Sequence, residues 1–144
     1  MNFSKTSFTT VNQAEDNTMT TTLSGTMSKG GSIHKVENGF LDLPKMDEEG
    51  CEAFINDSFA NPEGSSMCAG FFELKASEPL VYEYTYDEMK LVVQGEFILT
   101  DLATGAVTHA KERDVLFFPK GTTVKFETPD YALGFFTGDR TFAP

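Results

Sequence analysis

The sequence predicts an all-β protein, a sandwich or barrel of short strands, and three observations predict it. From Met67 onward, short runs alternating apolar and polar residues follow one another at even spacing. Each run is closed by a turn signal built from Gly, Pro, Asp or Asn. No strand–helix–strand unit or glycine-rich phosphate loop interrupts the series, which argues against a nucleotide-binding α/β fold. With 144 residues, 40% hydrophobic and 14 of them Phe, the chain has enough apolar material for one globular domain with a real core.

Taken in order, residues 1–31 form a Thr/Ser-rich arm with too little periodic hydrophobicity to define an element strongly. Weak strand character runs from Phe8 to Val11, and the segment before Met19 reads as a mobile arm. The alternative is an arm that adds a strand to a partner subunit's sheet. Residues 32–144 form the folded domain. Asp47 to Ile55 has acids at its start and is expected to form one short helix, although Gly50 weakens it. Asn61-Pro62-Glu63-Gly64-Ser65-Ser66 reads as a loop. Strands are expected over Ala69–Lys75, Leu80–Tyr86, Met89–Val93, Glu96–Asp101, Ala106–Ala110, Val115–Phe118, Thr122–Glu127 and Tyr131–Phe136. A break falls at Gln94-Gly95, among others.

The net charge of −11 argues against nucleic acid or an anionic bilayer as partner, because both attract basic patches. A small anionic molecule remains compatible if a few cations are focused in a pocket; Lys75, Arg113, Lys120, Lys125 and Arg140 are the candidates. Cys51 and Cys68 are expected to be reduced thiols acting as small apolar residues, since their spacing does not suggest zinc. No apolar run approaches a membrane span or a signal-peptide core, so a cytoplasmic protein is expected.

The chemistry concentrates between Tyr82 and Gly95. Alternation puts Tyr82 and Tyr84 on one strand face, and Glu88 and Lys90 emerge together about seven ångströms apart. Two opposite charges pointing into an apolar interior need a reason to be there. A simple ion pair at a barrel mouth, with the tyrosines as core aromatics, is the structural alternative. Met89, Leu91 and Val93, on the other parity, are expected to pack between sheets.

Asp87-Glu88-Met89-Lys90-Leu91-Val92-Val93-Gln94-Gly95-Glu96 resembles the first cupin motif, and Asp114-Val115-Leu116-Phe117-Phe118-Pro119-Lys120-Gly121-Thr122 resembles the second. The ending Val124 to Ala132 makes the likeness closest to EutQ-type cupins of ethanolamine utilisation. The resemblance covers roughly residues 68 to 137. It implies a single-domain cupin, a double-sheet jelly-roll β-barrel of the RmlC-like kind, and a homodimer.

Cupin metal sites resemble one another in two histidines, a glutamate and a later histidine. In this chain the glutamate position is Glu88, while the histidine positions fall on Tyr82, Tyr84 and Val124. One carboxylate beside two phenols is a poor set for zinc, iron or nickel. His34 and His109, the only histidines, lie outside both motifs, though His34 could bring one imidazole to Glu88. No metal and no other cofactor is therefore expected to be essential.

What remains is acid/base chemistry on a small oxygenated metabolite with a carboxylate or carbonyl. Glu88 is the expected base and Lys90 the acid or carbonyl polariser. Tyr82, Tyr84 and Phe126 would position the substrate, the phenols by hydrogen-bonding developing negative charge. That combination suits a lyase or isomerase performing dehydration, epimerisation or decarboxylation. The alternative is a non-catalytic metabolite-binding or accessory EutQ-like cupin. The resemblance also implies acetate-kinase-type phosphotransfer, against which stands the lack of a phosphate-cradling loop.

Overall fold

The structure, a computed structural model, describes residues 5–12, 19–26, 33–61 and 66–140. The expectation of an all-β molecule holds, with ten strands and no helix among the described residues. Near the N-terminus, β1 (Lys5–Asn12) and β2 (Met19–Thr26) pair antiparallel, with Phe8 opposite Leu23. The arm thus carries a Thr-rich antiparallel strand pair, which β-branched residues favour, where a single weak strand was expected.

The expected helix over Asp47–Ile55 is absent. Gly50 adopts a left-handed φ of 77° in a turn that contains no helical run, and Ala53 then begins β3 (Ala53–Ala60). Two forces override the acidic helix signal. The left-handed turn breaks the helical repeat, and Ala53, Ile55 and Asp57 alternate inward as a strand requires. Of the expected loop at Asn61–Ser66, residues 62–65 lie outside the described residues.

The remaining strands are β4 (Cys68–Lys75), β5 (Leu80–Glu83), β6 (Glu88–Asp101), β7 (Val107–Lys111), β8 (Val115–Phe118), β9 (Thr123–Glu127) and β10 (Tyr131–Gly138). They form one antiparallel sheet in the order β3-β4-β10-β6-β9-β5, with β7 and β8 also pairing on β6. The sheet curls because β6 serves both layers. Its first half pairs with β10 and β8, and its second half with β9 and β7.

The expected break at Gln94-Gly95 is the corner of this single long strand. Gly95 has φ 76°, and the β6–β10 register shifts just before it, where Val93 is passed over between the Gln94–Leu133 and Val92–Gly134 pairs. A Cβ on Gly95 would lie 1.9 Å from the Tyr131 carbonyl oxygen, so only glycine allows the two backbones to meet there.

The two layers close over an aromatic core. Phe72 of β4 stacks on Phe97 at 5.8 Å and meets Phe126 edge-on at 5.5 Å. Phe97, Phe126 and Phe136 are almost wholly buried, and such rings supply most of the apolar burial in a domain of this size. The thiols of Cys51 and Cys68 are buried and unbonded to each other, as expected.

One expectation about β6 is reversed. Met89, Leu91 and Val93 do not pack between layers; they are 54%, 39% and 44% exposed. The charged residues Glu88 and Lys90 face the interior together with Val92. Strand parity permits only one set inside, and here the interior set is the polar one.

Candidate functional site

The interior of the barrel brings Tyr82, Tyr84, Glu88, Lys90 and Phe126 to one pocket, together with Tyr86, Phe72, Leu80, Met46 and Ile55. Each arrives for a local reason. Tyr82 stands on β5 opposite Val124 of β9, and Phe126 stands opposite Leu80 on the same pair of strands. Tyr84 and Tyr86 lie in the bend between β5 and β6. That bend is fixed by two hydrogen bonds, from the Tyr84 amide to the Thr122 carbonyl and from the Gly121 amide to the Tyr84 carbonyl. Asp87 anchors its far side by accepting from the Lys120 amide at 2.7 Å.

Glu88 and Lys90 are both only 3% exposed. The Lys90 ammonium donates to Glu88 Oε2 at 3.0 Å, and the Tyr84 hydroxyl donates to the same oxygen at 2.7 Å. Among the described residues, Glu88 Oε1 receives no protein donor. The ammonium is also surrounded by rings, with Phe72, Phe118, Phe126 and Phe136 centroids at 4.9, 5.2, 5.3 and 5.8 Å. Each such cation–ring contact contributes about 1 kcal/mol of attraction. Gly134 of β10 makes room for the lysine stem, since a Cβ there would sit 2.8 Å from Lys90 Cδ. Burial, then the Glu88 charge and hydrogen bond, push the Tyr84 hydroxyl far above the usual phenol range, so it stays a donor.

A second network reaches the pocket from its rim. Asp57, almost fully buried on β3, holds Arg140 in a bidentate pair at 2.6 and 2.8 Å. The guanidinium lies over the Tyr86 ring, 5.2 Å from its centroid. Burial works against the Arg140 charge, but the bidentate hydrogen bonds to Asp57 outweigh it and hold the cation firmly charged. Tyr86 and Tyr82 in turn share a hydroxyl–hydroxyl bond of 2.9 Å. Burial, followed by that bond, raises the Tyr86 pKa, with Arg140 opposing.

The open space among these groups is small, with about 20 Å³ available to the centres of water molecules. That suffices for a water with polar partners and little more while the side chains stay where they are.

Of the weighed cations, Arg140 belongs to the site rim and Lys90 to its floor. Lys125 instead pairs with Glu127 at 2.9 Å on the partly exposed face of β9, and Lys120 is exposed in its turn. His34 lies in a separate hollow beside Phe59 and Cys68, and His109 pairs with Glu96 on the surface at 3.0 Å. Neither histidine comes to Glu88. Asp57 and Tyr86 were missed in the sequence. Tyr86 continues the Tyr82–Tyr84 alternation and could have been found from it, whereas nothing local marks Asp57.

The cross-strand pairing of Tyr82 with Val124 brings together the positions that the cupin motifs assign to metal ligands. The groups present do not suit a divalent cation. An ammonium already occupies the Glu88 oxygen, and no cluster of three His, Cys, Asp or Glu side chains forms among the described residues.

An antiparallel barrel enclosing a pocket behind paired motifs of this kind is a cupin. Its likeness in fold to an RmlC-like cupin from Shewanella frigidimarina agrees, at TM-score 0.56 and 17% identity, covering 76% of this chain and 93% of that one. The family model described as ethanolamine utilisation protein EutQ matches residues 4–137, and the chain belongs to that family. It is 31% identical over 115 residues to the acetate kinase EutQ of Salmonella typhimurium, covering 78% of this chain and 48% of that protein. The chain thus spans about half the length of the curated relatives it matches. A crystal structure of an ethanolamine utilization protein Q from Salmonella typhimurium LT2 superposes with TM-score 0.66 at 26% identity, covering 98% of both chains.

Proposed function

We propose that this EutQ-family cupin is a lyase or isomerase that acts on a small oxygenated metabolite without an essential transition metal. The observation that carries this reading is the buried Glu88 carboxylate, fixed through one oxygen by Lys90 and Tyr84 while its other oxygen has no protein donor among the described residues. In the proposed reaction Glu88 takes a proton from a carbon beside a carbonyl. The electron pair moves onto the carbonyl oxygen, where Lys90 and a phenol hold the developing charge. Returning the proton to the other face or to the neighbouring carbon completes an isomerisation. Loss of a protonated β-hydroxyl as water completes a dehydration. The confined space favours a substrate of few atoms, whose arrival displaces side chains at the mouth such as Met46 and Tyr82.

The relatives' name, acetate kinase, belongs to proteins about twice as long, and this sequence has no glycine-rich phosphate loop to support phosphotransfer.

The test is a screen of small hydroxy-carbonyl and carboxylate compounds against the wild type, Glu88→Gln and Lys90→Met, with metal content measured alongside. Turnover is expected to fall about 100-fold or more in each variant. Each single variant also leaves a buried charge behind, at a cost on the order of 3 kcal/mol. The Glu88→Gln/Lys90→Met double variant, with both charges gone, serves as the folded control. Unchanged turnover in both single variants would move the chemistry elsewhere. About one equivalent of bound iron, zinc or nickel per chain would overturn the metal-free reading. Binding without turnover would leave a metabolite-binding cupin.

We further propose that two copies associate through the outer face of the first layer. Along that face Phe71, Phe135, Leu91 and Val115 are register neighbours, and Met89 stands opposite Phe117. Met89, Val115 and Phe117 are more than half exposed. In a chain of net charge −11, an uncharged apolar stripe is where a second copy meets least repulsion.

A further inference from the structure

Lys90 is the one buried lysine among the described residues, and its surroundings do not match what an ammonium can donate. An ammonium carries three N–H donors. Among the described residues its single hydrogen-bond acceptor is Glu88 Oε2, at 3.0 Å. The other directions meet the rings of Phe72, Phe118, Phe126 and Phe136, which attract positive charge without offering an oxygen. The cage therefore suits a nitrogen that is positively charged and carries one N–H. A protonated imine is such a nitrogen.

We infer that Lys90 bonds covalently to the substrate, as the amine that forms a protonated Schiff base with a small aldehyde or ketone. The lysine stem is already held against β10, where a Cβ on Gly134 would lie 2.8 Å from Lys90 Cδ and 2.9 Å from Cγ. Glu88 takes a proton from the ammonium, and the freed lone pair bonds to the carbonyl carbon. The carbonyl oxygen receives that proton, then a second one from the nitrogen by the same route. It leaves as water while the C=N bond forms. Ammonium and carbonyl have become iminium and water, with one positive charge before and after. Glu88 ends as the carboxylate it began as, so the ion pair and the ring contacts survive the step. A buried site can host such a reaction because no new charge is created in it.

The electron pair released beside the carbonyl then moves onto the iminium nitrogen in place of an oxygen. The substrate class narrows to aldehydes and ketones, since a carboxylate forms no imine. A short apolar chain on that carbonyl fits the lining by Ile55, Leu80 and Phe126.

This deepens the acid/base reading of the pocket and rests on the pocket being the substrate site, but its test needs no turnover. Wild-type protein is incubated with acetone and cyanoborohydride, which reduces iminium ions and leaves ketones intact, and the isopropyl groups are mapped by mass spectrometry of peptides. Lys90 is expected to be alkylated about tenfold or more faster than the exposed Lys111 and Lys120. In Glu88→Gln, with its fold checked by circular dichroism, alkylation of Lys90 is expected to slow about tenfold or more. Alkylation of the exposed lysines with none at Lys90, or at Lys90 no faster than at Lys120, overturns the inference. That comparison is made within the wild type, so it decides even if Glu88→Gln does not fold. Should Lys90→Met lose turnover of a screened compound while Lys90 resists alkylation, the acid/base reading stands and the covalent bond falls. Should Lys90 be alkylated as expected while Glu88→Gln retains full turnover, the covalent bond stands and the role given to Glu88 falls.

Discussion

Glu88 and Lys90 show how a single residue's environment decides its use. Either side chain alone would be intolerable at 3% exposure, and each is acceptable because the other is 3.0 Å away. The phenols around them fix how the molecule responds to alkali. Tyr84 and Tyr86 have pKa values raised in the folded state, first by burial, and an unfolded phenol loses its proton near 10.0. Above that pH the unfolded chain releases protons that the native state retains. The contribution to stability is therefore fully present below pH 10.0 and declines as pH rises beyond it. Cys51 and Cys68, raised from 9.0 chiefly by burial, add a loss of the same sign that begins slightly earlier. Urea denaturation midpoints should stay level up to about pH 9 and fall steadily toward about pH 11. A level midpoint across that range would contradict the burial of these groups.

At the scale of elements, β6 decides most of the architecture. One strand of 14 residues serves two layers because Gly95 lets it turn a corner while pressed against β10. Gly95→Ala should cost on the order of 3 kcal/mol, because a positive φ and a backbone clash combine at one position. Thermal unfolding would measure it, and a shift of only a degree or two would mean that the β10 backbone yields easily. The corner was legible in the sequence only as punctuation, which looks the same for a strand end and for a bend within a strand. The Asp47–Ile55 segment failed for a related reason. Its acids fit a helix start, but the left-handed turn at Gly50 and the inward residues of β3 belong to a sheet edge that local sequence does not reveal.

For the whole molecule, the reversed parity of β6 has a consequence outside the barrel. Putting Glu88, Lys90 and Val92 inside leaves Met89, Leu91 and Val93 outside, beside exposed Val115 and Phe117. The proposed association predicts that sedimentation will find dimers and that Phe117→Lys will convert them to monomers with the barrel intact. A monomeric wild type at micromolar concentration would remove the proposal.

The sequence by itself determined the all-β class, the cupin motifs and the convergence of Tyr82, Tyr84, Glu88 and Lys90, because strand parity and motif spacing are local properties. Tertiary structure alone decided that Asp57 of β3 meets Arg140, two residues past β10 and 83 positions away. It also decided that four rings from separate strands enclose Lys90. Such contacts depend on which strands become neighbours when the sheet curls, and chain-distant pairing leaves no mark in the spacing of nearby residues.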